Sequence, residues 1–446
     1  MMKIRTKNRS IKTTIPAPGT QQLINKLSKI ESRSMHGQLP IVWSKAKNYS
    51  VYDIKGNKFI DFTSTIFVAN IGHSNPNLIK QIKSHLKIPL LNTYAYANKI
   101  RYNYLNELVK FTGLKNMKAF LMSSGTESTE AAFKIMRMYG QKTKKRKNGI
   151  ICFEGNWHGR TLGAQMMSGN KNQKRWISHI DRDIHHFPFP YPWVMKQKNC
   201  KQIFNMGLKK LKNKNLDIKK DISGIMLESF QGWGAIFYPK EFITIIKKIA
   251  KENKILICFD EMQAGFARTG KRFGFENYNI KPDLICCGKG MGGGYPISGL
   301  IGKSNLMDLP SVGNMSSTHS ANPLSCAAGL SVISEIKNKN LLKQTIKKGK
   351  LLFKLLNKIK ITNNKSISYV LGKGLIAAII FNKNIPNINR LVTQVAYECM
   401  CNGLLVVHTG RESIKIGPPL TISNEAIIEG VNVIEKSIKK VFRNVY

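Results

Sequence analysis

From about residue 60 to 320 the chain alternates short apolar runs with amphipathic stretches of helical period. The runs Gly149–Phe153, Ser223–Glu228, Ile255–Phe259 and Asp283–Cys287 are nearly continuous in apolar residues, as buried parallel strands are. Between and before them the pattern predicts helices over Asn77–Leu86, Tyr102–Thr112, Thr126–Gly140, Leu208–Lys220 and Pro239–Lys251. Pro76 stands where a first-turn proline is tolerated. A strand, Lys118–Met122, and a tight turn, Ser123–Gly125, lead into the third of these helices. From Asn170 to about Gly207 no period holds, and the prolines of HHFPFPYPW exclude regular elements there. The alternation predicts an α/β fold built on a large, mostly parallel sheet.

Either side of this region the pattern changes. Residues 1 to about 45 are polar and read as an extended arm with an amphipathic helix at Gln21–Arg33, followed by a hairpin at Val51–Phe62. After two helices, Pro323–Ile336 and Leu341–Ile359, the strands Ile367–Leu371, Leu375–Phe381, Leu404–His408 and Ser413–Ile416 alternate with the helices Ile388–Cys401 and Asn424–Phe442. That is a smaller α+β domain. The expected division is 1–60 for the arm and hairpin, 61–325 for the large domain, and 326–446 for the linking helix and small domain. The hairpin is expected to pack with the small domain.

Composition narrows the class. At 446 residues with 42% apolar content, the chain resembles an ordinary globular protein. No apolar run is long enough to span a bilayer, and the basic start MMKIRTKNRSIK lacks the apolar segment of a secretory signal. A cytoplasmic protein is expected. Eight cysteines show no metal-site spacing and read as reduced core thiols, so no metal is expected. The net charge of +46 raises nucleic acid as a partner, but the lysines are spread over nearly every predicted surface helix and no nucleic-acid motif accompanies them. The densest run, Lys142–Lys147, is one loop. Nucleic acid is disfavoured, and the positive field favours anionic substrates and cofactors.

Chemistry concentrates in Ile255–Gly294. Asp260 ends one apolar strand, and Lys289 follows another among glycines. Ligands of open α/β sheets sit at the carboxyl ends of strands. A carboxylate there needs a cationic partner, and a lysine amine can form a Schiff base. Glu261 is a supporting partner of Asp260 or an exposed acid, and Gln263 can hydrogen-bond nearby. Ser123–Thr126 joins a strand to a helix N-terminus, which is an anion site in physical terms and also an ordinary cap. Trp157 suits stacking on a flat ring or a place in the core; His158 suits pairing with it or satisfying its loop. Together these describe a site for pyridoxal phosphate.

The ordered motifs SSGTES, FEGNWHGRT, LESFQG, FDEMQAGFARTG, CGKGMGGGYP, THSANP and GPPL resemble those of the class III, fold-type I pyridoxal-phosphate aminotransferases, over about residues 20 to 430. The resemblance implies an enzyme moving an amino group from an amino acid or other primary amine to a 2-oxo acid. Lys289 would form the Schiff base and shuttle the proton. Asp260 would hold the ring nitrogen and Gln263 the ring hydroxyl, with Glu228 and His158 beside the cofactor. Gly125 and Thr126 would bind the phosphate, and Trp157 would stack on the ring in place of the usual Tyr or Phe. Thr318 would reach the phosphate of the neighbouring subunit, which implies a homodimer. Arg268 reads as structural or at the cleft edge. Ile66, Phe67 and Tyr94–Tyr96 fall where the family builds its substrate pocket.

Two positions depart from the family. Lys415 stands where many members carry a carboxylate-binding arginine, and Trp233 where some carry a glutamate that pairs with it. A lysine cannot form the bidentate fork of an arginine. Decarboxylating transamination or epimerisation on the same fold, or a non-catalytic binding protein, are the alternatives.

Overall fold

The computed structural model describes residues 4–143 and 147–443. Residues 144–146, within the lysine-rich run, lie outside that description. The large sheet has seven strands: β1 Met117–Met122, β2 Gly149–Phe153, β3 Ile184–Phe187, β4 Ile222–Glu228, β5 Leu256–Asp260, β6 Leu284–Cys287 and β7 Ser298–Lys303. Their spatial order is β1-β7-β6-β5-β4-β2-β3. All neighbours from β6 to β3 pair in parallel, while β7 runs antiparallel to both β6 and β1. Strands β2, β4, β5 and β6 are buried along their whole lengths, which is why their sequences are apolar runs without alternation.

The region from Asn170 to Gly207 departs from the expectation. It contains β3 and the first half of a helix, Cys200–Lys212. The prolines begin only at Pro188, just past the strand, and β3 is an edge strand paired on one side with β2. The helix starts where Asn199 and Gln202 form a reciprocal capping box. It ends at Lys212, with Asn213 as its C-cap, instead of running to Lys220, and a separate turn, Ile218–Asp221, is capped by Asp217. Strand β7 was also missed by the pattern, because Gly299 and Gly302 interrupt its apolar run.

The C-terminal part carries a four-stranded antiparallel sheet of β8 Ile367–Lys373, β9 Ile376–Phe381, β10 Val407–His408 and β11 Ser413–Ile416, in the order β8-β9-β11-β10. The run Leu404–His408 is split: Leu404–Leu405 instead pairs in parallel with Lys58–Asp61 of the N-terminal sheet. That sheet also contains Trp43–Lys47, Ser50–Asp53 and two short strands of the arm, Ile4–Arg5 and Ser10–Ile11. The hairpin turn is fixed by Asp53, whose carboxylate accepts from the N–H groups of Lys55 and Asn57, and by Gly56 at φ +72°. Arg9 pairs with Glu429 at 2.6 Å, so the arm is fastened to the C-terminal helix.

Arg268 ties these parts together. Its side chain is fully buried. It donates to the carbonyls of Leu375 and Pro418 and to the side chain of Asn70, with a longer contact to Ser64 Oγ at 3.4 Å. Burial pushes its pKa down to about 9. It is a structural residue, not a cleft-edge one. Among the described residues no helix is long and apolar enough to cross a membrane.

Replacing Arg268 with leucine removes these bonds and strands the buried acceptors. Urea unfolding of Arg268→Leu is expected to show a loss on the order of 3 kcal/mol.

Candidate active site

Parallel pairing sets Glu228 opposite Asp260, and Asp260 opposite Cys286, at the carboxyl ends of three adjacent strands. Lys289 follows two residues after β6, on a turn where it takes φ +47°. One cleft of about 750 Å3 contains Lys289, Gln263, Trp157, Trp233, Lys415 and Ile66 in its lining. Residues scattered over 350 positions of sequence thus meet because strand ends, helix starts and one small-sheet strand face the same space.

Asp260 is buried and anchored on both oxygens. Oδ1 accepts from the N–H of Met262 at 3.1 Å, and Oδ2 lies 2.9 Å from Nδ1 of His158. His158 is itself buried, and its N–H donates to Ser168 Oγ at 2.8 Å. The structure therefore places His158 as the partner of Asp260, not of Trp157. Glu261 is not an exposed acid. It is fully buried, accepts from Ser229 Oγ and from the N–H groups of Gly274 and Phe275, and has its pKa raised to about 7 by burial.

Glu228 accepts from the N–H of Trp157 at 3.0 Å. Burial, then the nearness of Asp260, raises its pKa well above the usual carboxylate range. Lys289 is shifted the other way: burial lowers its pKa, against the pull of Asp260 and Glu228. Lys415 is 6% exposed, with Nζ 3.3 Å from Gln263 Oε1 and 4.9 Å from the centre of the Phe67 ring. Burial is the main cause that takes its pKa down to about 7; Lys289 also lowers it and Glu228 opposes.

The helix Gly125–Thr143 begins beside this group. Its first N–H groups have no carbonyl within the helix to bond. Glu127 accepts from the N–H groups of Ser123 and Ser124, which immediately precede the helix. A side chain at Gly125 would meet Met262 Sδ at 2.7 Å and displace that side chain from beside the helix start. Thr126 Oγ1 bonds Thr161 Oγ1, which donates to Glu130. Trp157 is half-buried in the lining, with the Arg160 guanidinium 4.5 Å from its ring centre.

A flat, phosphate-bearing aldehyde fits this donor set. Free N–H groups stand for the phosphate, an anchored carboxylate for a ring N–H, an indole for the ring face, and an amine of lowered pKa for the aldehyde. The turn Ser64–Phe67 brings Ile66 into the cleft through four consecutive left-handed residues, φ +46° to +69°. That conformation costs about 1–2 kcal/mol per residue for β-branched Thr65 and Ile66. Asp61 holds the turn by accepting from the N–H groups of Thr63 and Ser64. Tyr94 and Tyr96 do not reach the cleft: both are exposed, and Tyr94 lies 3.1 Å from Ser316 Oγ. Thr318 is also exposed outside it, its carbonyl accepting from Asn92.

Arg411 is a cleft residue the sequence reading missed. Its guanidinium sits 3.8 Å from the centre of a Trp233 ring. Only the turn between β10 and β11 brings it there, and no periodicity marks it.

Residues 32–438 match the family model described as aminotransferase class-III. A leucine/methionine racemase of Thermococcus litoralis is 32% identical over 94% of this chain and 96% of its own length. A mitochondrial acetylornithine aminotransferase of Candida glabrata is 32% identical over 90% of each chain. Among solved structures, an ornithine aminotransferase of Toxoplasma gondii, described with partial occupancy of pyridoxal phosphate at its active site, superposes with TM-score 0.83. It is 22% identical over 95% of this chain and 96% of that one, a likeness of fold.

The buried lysine gives a pH signature. Its folded value near 7 lies below the ordinary 10.5, so between those values the unfolded chain binds more protons and stability rises with pH. Urea unfolding of cofactor-free Lys415→Met is expected to lack that component of the rise, which the unsubstituted chain shows from about pH 7 upward.

Proposed function

The chain belongs to the class III aminotransferase family, and from that premise we propose how its own residues carry the transfer. The protein is a pyridoxal-phosphate-dependent enzyme that moves an amino group from a primary amine or amino acid to a 2-oxo acid. When bound, pyridoxal phosphate supplies an aldehyde that condenses with amines and a ring that accepts the electron pair left when a proton departs.

One observation supports the assignment of roles above all: Lys289, which lines the cleft with its pKa lowered by burial, lies within electrostatic reach of Asp260, the partner of His158. Lys289 is the amine that holds the aldehyde at rest. With a substrate amine in its place, its Nζ would take a proton from the substrate's amine-bearing carbon and deliver it to the former aldehyde carbon on the other side of the nitrogen. A lysine kept fully protonated could not accept that proton, and the desolvation of Lys289 serves this step. Asp260 receives the ring N–H, and His158 fixes the direction of its oxygens. Gln263 and Glu228, whose pKa burial raises, would face the ring hydroxyl. Gly125 and Thr126 would take the phosphate, and Trp157 would cover one ring face and exclude water from it. Lys415, Trp233 and Ile66 line the space left for the substrate.

We propose a homodimer in which Thr318 of one subunit reaches the phosphate of the other. The position of Thr318 outside its own cleft supports this, as does the exposed apolar surface of Leu86, Ile88, Leu91, Tyr96 and Val312. Cytoplasmic residence is part of the same reading, supported by eight free cysteines, seven of them buried.

Purified protein given pyridoxal phosphate is expected to turn yellow, with the cofactor retained through dialysis and borohydride reduction fixing it to Lys289. Lys289→Ala should lose the fixed linkage and about a thousandfold or more in rate. A protein that stays colourless refutes the assignment. Chiral chromatography of the products separates net transfer, which yields a new oxo acid, from epimerisation, which returns the donor inverted.

A further inference from the structure

We propose that the protein binds a polyphosphate chain in a lysine-lined depression at the amino ends of β5 and β6, at the opposite end of these strands from the cofactor cleft. The recognised group is a run of linked phosphates, either free or carried as the tail of a nucleotide. This site is independent of the aminotransferase reading.

The depression lies where the same strands begin. Asp260 and Lys289 stand at or beyond the carboxyl ends of β5 and β6, whereas Ile257 and Asp283, at the amino ends, line a space of about 990 Å3. Because β7 is antiparallel, its last residue, Lys303, arrives at the same end. Two acids share the lining, and both are engaged. Glu276 accepts from the N–H of Phe273 and lies 3.4 Å from Arg272. Asp283 accepts from the N–H of Ile257 and pairs with Lys303. Five lysines of the lining remain: Lys247, Lys251 and Lys254 on the helix Lys240–Asn253 and its cap, Lys271 after β5, and Lys281 before β6. All five are exposed, and among the described residues no carboxylate forms an ion pair with any of them.

Lysines at the end of a helix ordinarily serve its last carbonyls. Here Lys147 does so, its Nζ donating to the carbonyls of Asn253 and Lys254. The five free lysines are left without that role. Like charges around one depression repel one another, and a concave wall focuses their field on whatever enters. A ligand that relieves this repulsion carries several negative charges close together. Lysine meets phosphate as a point charge, whereas planar carboxylate recognition favours the fork of an arginine. The one arginine of the lining is held by Glu276. The floor of Ile257, Ile280 and Leu306 is apolar, and no exposed aromatic ring lines the space to stack a nucleic-acid base. The lining includes none of the apolar residues of the dimer face proposed above.

The test uses the pyridoxal-phosphate-loaded protein, dialysed free of excess cofactor, with inorganic tripolyphosphate as probe in calorimetric titrations at roughly 0.15 M salt. One variant combines Lys251→Gln, Lys254→Gln and Lys281→Gln. A second removes the same charge elsewhere, through Lys343→Gln, Lys347→Gln and Lys350→Gln at exposed positions of the helix Leu341–Thr362. None of these residues touches the cofactor cleft, so both variants should keep the bound cofactor's colour, which reports that they fold. Tripolyphosphate is expected to bind the unsubstituted protein, about tenfold or more weakly in the first variant and within about twofold of the unsubstituted value in the second. Orthophosphate, with fewer charges, should bind at least about tenfold more weakly than tripolyphosphate. Equal losses in the two variants overturn the proposal, because the attraction then belongs to the field of the whole chain. Absence of tripolyphosphate binding overturns it, as does orthophosphate binding equally well. A single-stranded oligonucleotide that binds where tripolyphosphate does not assigns the surface to nucleic acid and overturns it too. ATP as a second probe identifies the source: an affinity like that of tripolyphosphate means that the phosphate chain alone is read, and one about tenfold tighter means a nucleotide.

Discussion

A single buried guanidinium holds the three parts of this molecule in register. Arg268 leaves the loop that follows β5 and donates to carbonyls of the C-terminal region and to Asn70 of the N-terminal segment. The cleft lies where these parts meet, so the positions of Ile66, Gln263 and Lys415 relative to one another depend on it. A buried charge without full hydrogen bonding is costly, and that cost makes the arrangement specific. The left-handed turn at Ser64–Phe67 is strained, and it persists because Asp61 and Arg268 restrain it from both sides.

The cleft works through the opposition of its titratable groups. Burial drives Glu228 toward its neutral acid and both Lys289 and Lys415 toward neutral amines. Asp260, held by its bonds to His158 and the Met262 N–H, acts on both Glu228 and Lys289, raising the pKa of each. Such pairs of groups with divergent environments assign acid and base roles within one small volume. The abundance of lysine over the rest of the surface has little bearing on that balance, because exposed charges are screened within about a Debye length.

Much of this was legible in sequence, for identifiable reasons. Strands β2, β4, β5 and β6 are buried on both faces and leave continuous apolar runs, so Asp260, Glu228 and Lys289 could be read as strand-end residues. Glycine-rich turns and the helix start at Gly125 mark themselves chemically. Strand β3 was hidden by the prolines that follow it, and β7 by its glycines. The partner of His158 could not be read, because 102 positions separate it from Asp260. Arg411 was invisible because a turn between two short strands carries no period. The split of Leu404–His408 between two sheets follows from which edges lie nearby, a matter of packing and not of local pattern.

By itself, then, the sequence determined the fold class and the cofactor chemistry. Both are written in local features: apolar runs, glycine turns, and an acid and an amine at strand ends. The tertiary structure decided the electrostatic state of the cleft. Whether a lysine is a fixed cation or a titrating amine depends on how much water surrounds it and which charges face it. For Lys415 those neighbours are Gln263, Phe67, Glu228 and Lys289, drawn from four different segments, and only the folded chain brings them together.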